Sequence, residues 1–134
     1  MQNVKPITAL TNLLTKNNFE VKELQKNKSI VVLKKGYPRL YFEVLKKGYK
    51  VWSIKELTDR ALMNGSGILE FINELNQFTC ISKYYLHKSN ALYVEATMWL
   101  PENETVFTAT FNSLKHDMKQ ILANNKNSRK FIVS

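Results

Sequence analysis

A chain of 134 residues, 44% hydrophobic and 23% charged, with only four Gly and three Pro, is long enough for one core and excludes collagen-like and Pro-rich disordered classes. Cys80 is the sole cysteine, which rules out an intramolecular disulfide, and beside it stand only His87 and His116, no zinc ligand set at recognisable spacing. The net charge of +9 is unevenly placed, since residues 26–55 hold nine Lys and Arg against Glu43 alone, and a field of that sign attracts nucleic acid, anionic membrane or an acidic partner while also keeping a sheet soluble.

Ile7, Leu10, Leu13 and Leu14 recur at helical spacing behind Pro6, and Asn17-Asn18 stops the pattern, so the first helix is expected over residues 4–17. A strand follows at 19–24, where Phe19 and Val21 alternate with Glu20 and Lys22. SIVVLKK, RLYFEVL and YKVWSI then read as three more strands. Between them LKKGY occurs twice, at Leu33 and again at Leu45. Each Gly stands where a hairpin needs a positive φ, and the lysines keep the turn solvated. The repeat is therefore the strand-plus-turn period of a meander before it is a phosphate motif, which would need more Gly and a following helix. Successive turns of a meander lie one strand length apart, roughly 20 Å, so Lys34, Lys35, Lys46, Lys47 and Lys50 form at most a diffuse anion-binding surface.

KELTDRALM reads as a short helical turn capped by Thr58 or Asp59, and NGSG at 64–67 as a sharp break with Ser66 capping a new helix. Ile68, Leu69, Ile72, Leu75 and Phe78 are its expected apolar stripe. CISKYYLH and ALYVEATMWL form a second hairpin through KSN, with Leu92, Val94, Ala96, Met98 and Leu100 toward the helices and Tyr93, Glu95, Thr97 and Trp99 away from them. Cys80, on that first strand, is expected as a small core residue. Pro101 ends the sheet, and a last helix from about Asn103 to Ala123 buries Phe107, Phe111, Leu114, Met118, Ile121 and Leu122. The expected fold class is α+β, a single antiparallel sheet of meander plus hairpin packed against helices in the order α-β-β-β-β-α-β-β-α. Residues 1–124 make one domain and residues 125–134 a C-terminal tail, in which NNKNSRK is expected to fray while FIVS is open between a loose end, an extra strand and a docking peptide.

The search for chemistry returns no catalytic residue, cofactor or metal. Glu70 and Glu74 lie one helical turn apart with no His to join them, and read as a solvated face. Ser113, His116 and Asp117 share one short helical stretch, where a Ser cannot reach an imidazole oriented by the adjacent Asp. NGSG offers backbone N–H groups to an anion, but such caps are commoner than bound phosphates. Tyr41, Tyr49, Trp52, Tyr84, Tyr85, Tyr93 and Trp99 offer aromatic surface among lysines, the ingredients for stacking single-stranded nucleic acid, with core or dimer packing the default reading. Tyr85, Tyr93 and Trp99 are the candidates for an interaction surface. No segment approaches the roughly 18 uninterrupted apolar residues of a membrane span, and the N-terminus lacks the apolar stretch of a signal peptide.

The helix ILEFINELNQF, with Asn73 and Asn76 in an IN..N context, followed by the hairpin and the amphipathic FTATFNSLKHDMKQIL, resembles the YbjN-type family of small bacterial proteins. These are labelled sensory-transduction regulators, with a fold similar to that of type III secretion chaperones. The resemblance covers about residues 66–122. It transfers no catalytic residues and implies a non-enzymatic binding or regulatory module of the bacterial cytosol, a homodimer with a protein partner. The strongly basic first half departs from the acidic habit of those chaperones, and direct nucleic-acid binding through the Lys-rich residues 26–55 is the alternative. Asn is a poor helix former, so Asn73 and Asn76 imply side chains bonded to backbone.

Overall fold

The computed structural model describes residues 4–88 and 90–133. Helix α1 (Pro6–Lys16) places Pro at its start and ends at Asn17, whose side-chain amide donates to the Leu13 carbonyl at 2.9 Å, before Asn18 turns the chain at φ +69. Strands β1 (Glu20–Gln25), β2 (Ser29–Leu33), β3 (Leu40–Val44) and β4 (Tyr49–Glu56) follow as the expected meander. Both LKKGY glycines adopt positive φ, +90 at Gly36 and +88 at Gly48. At Gly48 a side chain is excluded twice over, because a Cβ there would stand 2.6 Å from the Met98 carbonyl oxygen.

A short α2 (Asp59–Leu62) is capped by Thr58, whose hydroxyl accepts from the Ala61 N–H. Helix α3 (Gly65–Asn76) is capped by Asn64, not by Ser66 as the sequence suggests. The Asn64 side-chain oxygen folds over Gly67 and accepts its N–H at 3.0 Å, in space that a Cβ on residue 67 would fill. Of the five expected stripe residues Ile68, Ile72 and Leu75 are buried, joined by Phe71, while Leu69 and Phe78 are exposed. Strands β5 (Lys83–His87) and β6 (Ala91–Met98) pair as the second hairpin, and β6 also pairs with β4, so the six-stranded antiparallel sheet has the order β1-β2-β3-β4-β6-β5.

Burial alternates along β6 as its sequence implies, with Leu92, Val94, Ala96 and Met98 inside, while Leu100, past the strand end, is partly exposed. Opposite that face α4 (Glu104–Lys115) starts at the cap Asn103 and buries Phe107, Phe111 and Leu114. A π-helical turn (His116–Gln120) leads into α5 (Ile121–Asn124), and all six residues expected in the stripe are buried. Phe107 and Phe111 stack at 4.3 Å between centroids, and Phe19 and Phe42 pack on Phe111 at 5.4 and 6.3 Å.

A further expectation fails at Cys80. Cys80 is exposed in the loop before β5, since the strand begins only at Lys83. Of the readings open for FIVS the structure takes the docked one: α6 (Ser128–Phe131) buries Phe131 against Phe71, the Phe131 carbonyl accepts from the Thr58 N–H at 2.9 Å, and Val133 donates to the Glu56 carbonyl at 2.9 Å. One buried ring outweighs the polar composition of NNKNSRK, because burying it recovers about 2–3 kcal/mol against the cost of ordering the segment.

Candidate functional site

The helices cover one face of the sheet, and the other carries the alternate side chains. Register brings one residue from each strand into a transverse row, Lys22, Val31, Tyr41, Trp52, Glu95 and Lys83. Tyr41 and Trp52 stack at 5.6 Å with 16° between their planes. The Lys50 ammonium sits 5.3 Å from the Trp52 centroid and 3.4 Å from Glu95 Oε1, and the Tyr85 hydroxyl donates to that same oxygen at 2.8 Å. Tyr85 lies 5.8 Å from Tyr93, which stacks on His87 at 4.3 Å. A continuous aromatic and charged strip thus crosses β3, β4, β6 and β5, with Glu95 at its centre.

Of the aromatic candidates, Tyr85 and Tyr93 lie in this strip, but Trp99 does not. It stands past the end of β6, 68% exposed, beside the second LKKGY turn at Gly48. The five candidate lysines do not converge. Lys34 donates to the Asn17 carbonyl at 3.0 Å and lies over Phe19 and Tyr37, Lys50 belongs to the aromatic strip, Lys35 is exposed in the first turn, and Lys46 and Lys47 are exposed in the second, at the other end of β3. Tyr41, Trp52 and Glu95 are legible in the sequence as strand residues and His87 as a strand-end residue, but not as one cluster. Period-two alternation places Tyr41 and Glu95 on the outer face, but only cross-strand register makes them neighbours of Trp52.

The strip is expected to respond to alkali. Burial first, then the hydrogen bond to Glu95 and the charges of Glu95 and Tyr93, push the Tyr85 phenol up to about 12, and burial followed by the charge of Asp117 pushes Tyr84 well above the ordinary phenol range. An unfolded chain releases these protons near pH 10, so it binds fewer protons than the folded protein above that pH, and stability present below pH 10 is lost as the pH climbs toward 12. Lys55, whose ammonium is held low by burial and by Lys119, acts in the opposite sense. The urea midpoint is expected to fall between pH 10 and 12, and Tyr85→Phe to flatten that fall. A midpoint of the wild type unchanged across that window would contradict the assignment.

Among the described residues one group of metal-ligating side chains comes together, Cys80, His116 and Asp117, with ligand atoms within 4.8 Å of one another. Asp117 is fully buried and already committed: its Oδ1 accepts the Cys80 N–H at 2.7 Å, and its Oδ2 those of Ile81 and Ser82 at 2.8 and 2.9 Å. His116 Nε2 lies 3.0 Å from the Phe78 carbonyl oxygen. The carboxylate therefore organises a loop and neither orients an imidazole nor offers an open ligand set. Asn76 is structural in the same way, accepting from the Tyr84 N–H at 2.7 Å and donating to the Tyr84 carbonyl at 3.0 Å, so its partner is a strand and not its own helix.

No family model and no curated protein matches the chain. Among solved structures, the crystal structure of YbjN from E. coli, a candidate transcription regulator, superposes with a TM-score of 0.72 over 99% of this chain and 100% of that one, at 12% identity. The chain has the YbjN-type fold. The likeness extends across both sheet halves and the tail, beyond the segment 66–122 that carries the sequence resemblance. No helix among the described residues is long and apolar enough to cross a membrane.

Proposed function

We propose that this chain is a non-enzymatic regulatory module of the bacterial cytosol, and that it docks a protein with an acidic surface on the strip of Tyr41, Trp52, Tyr93 and Tyr85. The observation that carries the reading is the strip itself: rings and paired charges laid across four strands on the face the helices leave uncovered. Flat aromatic surface beside a cation is the usual anchor of a protein interface, and the chain's +9 favours an acidic partner. The homodimer and the surface of Tyr85, Tyr93 and Trp99 belong to the same proposal, Trp99 as a separate contact at the end of β6.

Affinity capture from source lysate, with and without nuclease, tests it when run beside Trp52→Ala/Tyr93→Ala. A nuclease-resistant partner that the double variant loses by about tenfold or more is expected, while circular dichroism shows the fold kept. Equal capture by both proteins would remove the strip from the interface. Capture that disappears with nuclease, joined to DNA or RNA binding that weakens steeply with salt and depends on Lys34, Lys35, Lys46, Lys47 and Lys50, would establish the nucleic-acid reading instead. Light scattering coupled to size exclusion is expected to give twice 15.6 kDa at micromolar concentration; 15.6 kDa alone removes the dimer.

A further inference from the structure

On the helical side of the sheet, where β4 ends against the π-helical turn and the C-terminal segment, lies a groove of about 680 Å³. Four cationic side chains line it, Lys55, Lys119, Lys126 and Arg129, and no carboxylate does. Its apolar floor includes Met118, Leu122 and Ile132. The ion pairs found among the described residues, Lys16 with Glu104 and Lys50 with Glu95, involve none of the four, and the bond recorded for the Lys119 ammonium is to a neutral acceptor, the Gly36 carbonyl at 3.0 Å. Lys55 is the telling member. It sits half-buried, and burial together with the charge of Lys119 disfavours its ammonium.

An ordinary basic surface spreads its charges into water, where screening makes their repulsion negligible. Here one cation is partly withdrawn from water, Lys119 acts on it directly, and the exposed Lys126 and Arg129 line the same groove. Two of the three arrive on the docked segment that Glu56 and Thr58 hold in place. Convergence of that kind is relieved by a bound anion with more than one charge. Arg129 adds a planar fork suited to phosphate, and the volume suits a nucleotide-sized molecule more than a duplex.

We propose that this groove binds a small phosphorylated molecule, with its phosphates among the four cations and its apolar body on the Met118, Leu122 and Ile132 floor. The site lies on the opposite side of the sheet from the aromatic strip, so it is independent of the partner proposed above and would serve as a ligand input to the module.

Isothermal titration of the full chain with ATP and with inorganic pyrophosphate tests it, using Lys55→Met, Lys126→Gln/Arg129→Gln, and as control Lys46→Gln/Lys47→Gln in the distant turn. ATP is expected to bind more tightly than pyrophosphate, to weaken by about tenfold or more in both groove variants, and to change by less than about twofold in the control. Lys55→Met replaces a half-buried cation by an apolar chain of similar length, so its melting temperature is expected to hold. Because the anion restores the Lys55 charge, binding at alkaline pH is expected to take up protons in the wild type and not in Lys55→Met. Absence of binding up to about 10 mM of either anion, or equal weakening in the control, would overturn the proposal. So would a short single-stranded oligonucleotide that binds the same residues about tenfold more tightly than ATP.

Discussion

Replacing Asp117 by Ala is expected to lower the stability of this protein by about 3–5 kcal/mol, which for a domain of this size moves the melting temperature down by about 10–20 °C. The carboxylate is fully buried and holds the N–H groups of Cys80, Ile81 and Ser82, the three residues that lead from α3 into β5. Hydrogen bonds to a charged acceptor contribute about 1.5–3 kcal/mol each in favourable cases, and removing the acceptor leaves three donors unpaired, that of Ser82 in a buried position. The Asp117 carbonyl also accepts from the Tyr84 hydroxyl, so the π-helical turn is joined to β5 at two levels. Glu70→Ala, on the exposed side of α3, is the control and is expected to change stability by less than about 0.5 kcal/mol. Urea unfolding of the two variants decides the matter, and a loss below about 1 kcal/mol for Asp117→Ala would show that the three N–H groups are satisfied without it.

A larger effect is expected at Val94. This side chain is fully buried at the middle of β6 between Ser53 of β4 and Tyr84 of β5, and an Asp there must either carry a charge into the core or be protonated at neutral pH. Val94→Asp is expected to cost several kcal/mol and to leave little folded protein at 37 °C, whereas Thr97→Asp, three residues along on the outer face, is expected to fold normally. Soluble yield and circular dichroism of the pair separate the outcomes. Similar behaviour of the two would mean that the register of β6 is displaced by one residue.

That register was legible in the sequence because β6 has strict apolar and polar alternation, and the α4 stripe because its spacing of three and four stays intact through the π-helical turn. Other elements resisted for definable reasons. The α3 stripe was legible at Ile68, Ile72 and Leu75, but Leu69 and Phe78 are as apolar as Phe71, and hydrophobicity alone does not say which of them faces inward. Residues 125–133 read as polar and broken, and their docking depends on the single ring of Phe131 meeting Phe71 from sixty positions away. The aromatic strip was half visible. Tyr85 and Tyr93 stood out as aromatic residues on strands, but the stack of Tyr41 on Trp52 and the place of Glu95 at its centre are products of pairing between strands far apart in the chain. The groove was invisible for the same reason, since Lys55 joins Lys119, Lys126 and Arg129 only after the chain has closed.

The sheet of this fold is open, so it ends in two strands that each have a row of main-chain groups facing outward. At one end β1 carries three charges in six residues, Glu20, Lys22 and Glu23, and its pairing register breaks between Glu23 and Gln25. A charged, kinked border is a poor template for another chain. At the other end β5 is five residues long and begins with Lys83. A charged, kinked border at one end and a short strand at the other offer a second copy little ladder to extend, which disfavours fibrous association. Whatever assembles with it must therefore meet side chains on a broad surface instead of continuing the hydrogen-bond ladder.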